Sequence, residues 1–177
     1  MLSLSMLFCL TLVGCTRLEP PASNPAEETT DVPDQQIWGW SALISESGRK
    51  RALVRAGKFQ KFGHKSRLAD GVTVVFFDAK GDTTSKLSAD QGEIDEQAGQ
   101  LLVSGGVVLE APDSTRLETE VLQWDRKQDL VRGDGKVTLR RTEGVETGIG
   151  FEASSDLKRW SMKQVVTRLR PSDSPPP

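Results

Sequence analysis

From Ile37 to Leu169 the apolar residues recur at every second position, the period of a strand with one buried face, and not at the 3.6-residue period of a helix. Trp38, Trp40, Ala42 and Ile44 form one such series. Leu101, Val103, Gly105, Val107 and Leu109 form another, followed by Val137 with Leu139 and by Ile149 with Phe151 and Ala153. Turn-forming clusters separate the runs: Ser47-Gly48, Lys80-Gly81-Asp82, Gln97-Ala98-Gly99, Ala111-Pro112-Asp113 and Gly133-Asp134-Gly135. No stretch of useful length carries an amphipathic helical pattern, so the expectation is an all-β domain over residues 36–169.

Within that domain the pattern repeats. The run from Leu87 through Ser88, Ala89 and Asp90 to Ile94 and Asp95 returns as Leu117, Glu118, Thr119 and Glu120 to Trp124 and Asp125. A second matched piece follows each copy, Leu102 to Leu109 in one case and Leu130 to Gly133 with Val137 to Leu139 in the other. A weaker third copy is expected to begin at Phe151-Glu152-Ala153. Units of this length stack so that their apolar faces make one continuous core, which predicts an elongated antiparallel sandwich of paired strands.

The two ends read differently. Met1 to Gly14 is almost wholly apolar, too short to span a bilayer as a helix, and it leads into Leu12-Val13-Gly14-Cys15, which resembles a bacterial lipobox. Residues 1–14 are therefore expected to be a cleaved lipoprotein signal peptide, and Cys15 the lipidated residue that anchors the chain to a membrane by its acyl groups. Residues 15–35, rich in Pro, Glu, Thr, Ser and Asp, carry Cys15 and read as a disordered tether; 170–177, ending Ser-Pro-Pro-Pro, reads as a disordered tail. Both cysteines, Cys9 and Cys15, precede the domain, so no disulfide framework is expected in it.

Charge narrows the partners. With 23 basic and 25 acidic side chains the net charge is -2, which gives no field to attract nucleic acid. Candidate chemistry is sparse: His64 sits in a polar stretch, Lys61 to Lys65, with no nucleophile or carboxylate motif beside it, and no Cys and His cluster offers a metal site. Asp90 with Glu120, and Asp95 with Asp125, recur at equal repeat positions, the signature of turns and strand ends rather than of a catalytic pair. Arg49, Lys50, Arg51, Arg55 and Lys58 read as a solvated strand edge, and Trp38 and Trp40 as neighbours on one packed face. No catalytic site and no cofactor are expected.

Four segments together resemble the LptC family of lipopolysaccharide-export proteins, which share the OstA-like β-jellyroll. They are Phe77-Asp78 with Leu87 to Gly92, Gly106 to Leu109, Leu117 to Asp125, and Gly148 to Ala153, in matching order and spacing across most of Trp38 to Trp160. The resemblance implies an apolar interior that holds the acyl chains of lipopolysaccharide, its lipid A part. Val74, Phe76, Val103, Gly105, Val107, Leu109, Val137, Leu139 and Phe151 are the residues expected to line it. It also implies two partners: an inner-membrane Lpt ABC transporter that supplies energy, and an LptA-like periplasmic bridge protein docked by strand addition at the last strand, through Val165, Val166, Thr167 and Leu169. A periplasmic location follows, on the inner membrane in preference to the outer. The alternative is a structural envelope lipoprotein, or a bridge protein, that does not itself extract lipid.

Overall fold

The computed structural model describes residues 32–169. The expected signal peptide, Cys15, almost all of the tether and the tail of 170–177 lie outside the described residues.

Ten antiparallel strands follow one another through short turns: β1 (Gln35–Glu46), β2 (Arg49–Phe62), β3 (Lys65–Phe77), β4 (Thr83–Ala89), β5 (Gln91–Asp95), β6 (Gln100–Glu110), β7 (Arg116–Asp125), β8 (Leu130–Arg141), β9 (Gly144–Ser154) and β10 (Trp160–Leu169). They hydrogen-bond in the order β1-β2-β3-β4-β6-β7-β8-β9-β10, with β5 in line with β4 and, like it, pairing with β3 and β6. The protein is an all-β jellyroll, as the alternating pattern predicts.

Aspartates open the turns. Asp95 Oδ1 accepts the N–H of Ala98 at 2.8 Å, and Asp125 Oδ1 accepts those of Lys127 and Gln128 at 2.9 and 3.0 Å. The two recurrent aspartates thus do the same work one repeat apart, each substituting a side-chain oxygen for a missing backbone acceptor. Asp78 serves the β3–β4 turn in the same way, accepting from Lys80 and Asp82.

A crease crosses the sheet at mid-strand. Register shifts interrupt the pairing at Ala56/Lys58, Ser104/Val107, Thr119/Gln123 and Gly133/Lys136, and β4 and β5 are separated there by Asp90 alone. Bulged strands bend, and a line of bulges folds the sheet back on itself. One half of each long strand then lies in one layer and the other half in the facing layer. Contacts between halves prove the folding over: Phe76 in β3 meets Trp124 in β7 edge-on at 5.0 Å, and the Ser85 hydroxyl in β4 donates to the carbonyl of Ser155 beyond β9 at 2.5 Å.

The crease also accounts for three departures from the sequence pattern. Gly133-Asp134-Gly135 is not a turn but the bulged middle of β8. Trp38 is 67% exposed and does not share a face with half-buried Trp40, because Gly39 between them has a φ of +62° and reverses the alternation. Ile149, beside the β9 bulge, is 51% exposed and parts company with Phe151 and Ala153. The third repeat is displaced too: the rung of Leu117 runs through Leu139 to Glu146, while Phe151 pairs with Gly133 beside the β8 bulge.

Candidate functional site

The space between the two layers is the one place where the expected site residues converge. Val74 and Phe76 come from β3, Val103, Val107 and Leu109 from β6, Val137 and Leu139 from β8, and Phe151 from β9, and all eight belong to one buried cluster. Gly105, the ninth, sits on the crease itself, where it lets β6 turn close beneath Asp90. Each buried Val, Leu or Phe contributes about 1.5–3 kcal/mol by leaving water. The residues expected to touch lipid are therefore also the residues that hold the layers together. Leu68, Leu87, Leu101, Leu117, Leu122 and Trp124, which are not among the nine residues expected to line the lipid, fill it with them. Their inward parity follows from the same alternation that picked out the others.

At one end the layers do not meet fully. Ile44 and Val54 on one layer face Ile94, Leu101 and Trp124 on the other across a pocket of about 120 Å³, with Asp95, Glu96, Gln100 and Arg126 toward solvent. The far side of the mouth, away from the crease, is laced by polar contacts. Arg51 reaches Asp129 at 3.0 Å, Ser85 reaches Ser155, and the Arg141 guanidinium lies 5.1 Å over the ring of Trp160 while pairing with Glu146.

The remaining candidates have surface roles. His64 is exposed in the β2–β3 turn, where its carbonyl accepts the N–H of Glu96. The basic run opens β2, where Arg49 and Lys50 are exposed and paired with β1 alone; Arg51 is engaged with Glu46 and Asp129, and Lys50 lies 5.9 Å over Phe77. Among the described residues no group of three His, Cys, Asp or Glu could hold a metal ion.

The sheet has two free edges. β10 pairs with β9 alone, and Gln164 and Val165, between the paired Lys163 and Val166, are left out of the register. Val165, Val166 and Thr167 are exposed along this edge, Val166 to 59%, and Leu169 closes the strand opposite Gly144. The opposite edge is β1. A strand with unpaired N–H and C=O groups is a template for another chain.

No curated protein matches this chain. The family model described as Lipopolysaccharide-assembly, LptC-related matches it over residues 2–169, the whole of the sheet included.

Proposed function

Because this chain belongs to the LptC family of lipopolysaccharide-assembly proteins, and so takes part in lipopolysaccharide transport, we propose that it carries the acyl part of lipopolysaccharide between its two layers and hands it on. The carrying step is a transfer without chemistry: alkyl chains cross water at a high free-energy cost, and an apolar passage between membranes lowers it. The donor is an inner-membrane ABC transporter and the acceptor a periplasmic bridge protein of the LptA kind, reached by strand addition at β10. Lipid on Cys15 holds the chain at the inner membrane, and the tether of residues 15–35 joins that anchor to the sheet.

The observation that carries this reading is the continuous apolar interior between layers, contributed by β2 to β9 and opening at the pocket beside Ile44 and Leu101. Entering alkyl chains would replace side-chain contacts with equivalent apolar ones, so parting the layers costs far less with cargo than without it. Purifying the full chain from membranes and identifying bound lipid by mass spectrometry tests the reading. Lipopolysaccharide at near one per protein is the expected result, and its absence, with surface lipopolysaccharide normal after depletion, would refute it.

The filled interior favours a second reading, a structural envelope protein that joins partners through its free edges without cargo. Depletion would then disturb the bridge and leave no lipid on the purified protein.

A further inference from the structure

Two of the three buried side-chain polar atoms without a hydrogen bond among the described residues stand on one rung of the sheet. Ser66 pairs with Ile94, Ile94 with Leu101, and Leu101 with Trp124, so Ser66 Oγ and Trp124 Nε1 occupy the two ends of an apolar pair. The third, Arg132 Nε, lies 3.7 Å from the Glu152 carboxylate. Trp124 is 1% exposed, the largest fully buried side chain in the core, and its ring stands nearly perpendicular to that of Phe76, centroids 5.0 Å apart. A buried indole N–H ordinarily finds an acceptor, and leaving one unmade costs about 1–3 kcal/mol.

Trp124 also lines the pocket between Ile44, Val54, Ile94 and Leu101. Indole N–H donates and never accepts, so its partner must be an acceptor oxygen flanked by hydrocarbon. Solvent does not supply one, since Nε1 is closed to it, and a buried water would need two to four polar partners of its own. Asp95, toward solvent, already accepts the Ala98 N–H.

We propose that Trp124 Nε1 is the donor that receives the carbonyl oxygen of an acyl ester or amide, whose hydrocarbon enters the pocket against Ile44, Val54, Ile94 and Leu101. This rests on the lipid-cargo reading and adds to it a fixed point. Alkyl chains alone slide along an apolar wall; one hydrogen bond sets how deep the linkage sits. Ser66, one strand beyond Ile94, is the next donor along the rung for a cargo with further acyl linkages.

The test uses the full chain labelled with ¹⁵N, in which the four tryptophans give four indole N–H signals, that of Trp124 identified as the one that remains when Trp38, Trp40 and Trp160 are each replaced by Phe. Methyl dodecanoate supplies the ester, and a straight-chain alkane of similar length supplies hydrocarbon alone. A downfield shift of the Trp124 indole proton with the ester and not with the alkane is expected, together with about three- to tenfold weaker ester binding by Trp124→Phe and unchanged alkane binding. The wild-type shift decides the matter even where the variant fails to fold. If both probes bind and move that signal alike, or if Trp124→Phe binds the ester as well as wild type does, the donor role is overturned while the cargo reading stands. If neither probe binds and no lipid accompanies the purified chain, both fall together.

Discussion

Gly105 lies directly beneath Asp90: a Cβ added to Gly105 would stand 2.5 Å from Asp90 Oδ2 and 2.8 Å from its Cβ, and the glycine φ is +82°. The Asp90 N–H donates to the Gly105 carbonyl at 3.0 Å, so the contact lies where β4 gives way to β5 and β6 bends. Gly105→Ala combines a backbone penalty of about 1–2 kcal/mol with a steric one, and a total loss of about 2–4 kcal/mol is expected from urea midpoints. Gly39→Ala is the control, with a φ of +62° and nothing within 4 Å, and should lose only the backbone part. Adding Asp90→Gly to Gly105→Ala should return most of the steric part. Equal losses at Gly39 and Gly105 would show that the crease is not held by this contact.

The contacts across the mouth should differ in strength. Ser85 is buried and its hydroxyl serves a Ser155 carbonyl at 2.5 Å, so Ser85→Ala leaves a buried acceptor unmatched and should cost about 1–3 kcal/mol. Arg51 and Asp129 are 26% and 39% exposed, and Arg51→Ala should cost less than about 1 kcal/mol. Chemical denaturation ranks the two, and the reverse order would mean that the ion pair is the principal tie between layers.

Acid should loosen the turns. The Asp82 N–H holds the Asp78 carboxyl below the usual carboxylate range, the Ala98 N–H does so for Asp95 and the Thr115 N–H for Asp113. Arg116 and then Arg140 depress Glu118. Carboxyls lowered in the folded state contribute stability that is fully present above their unfolded values, about 4, and is lost as pH falls through the folded ones. The thermal midpoint should therefore stay level from about pH 7 to 5 with respect to these groups and drop below about pH 4. Asp95→Asn should flatten that drop; an unchanged slope would rule Asp95 out as a contributor.

The exposed edge should tolerate charge without loss of fold. Val165→Lys places a cation on the bulged, singly paired part of β10, and a stability change within about 0.5 kcal/mol is expected. The same change should abolish photocrosslinking of a partner from Val166 or Thr167. Undiminished crosslinking would move the docking surface elsewhere.

Much of this was legible in the alternation of the chain. Period two found the strands, and the recurrent aspartates found the turns, because both rest on local geometry that each residue imposes on its neighbours. The crease was not legible. Its bulges are set by which strand pairs with which, and a residue such as Trp38 or Ile149 changes face when an intervening glycine or bulge shifts parity by one. Gly133-Asp134-Gly135 has the composition of a turn and sits in mid-strand for the same reason. For the interior, the pattern marked Val103 and Leu139 as inward, and only the facing layer reveals that they touch protein there and that Trp124 borders the open end.

Because the crease runs across the strands and not between them, each long strand is common property of both leaves of the molecule. Each leaf keeps hairpin turns of its own, but every long strand that feeds them runs on through the crease into the other leaf. A lesion in one must be felt in the other, and the protein should come apart in a single cooperative step, with local breathing confined to the rims where the turns lie.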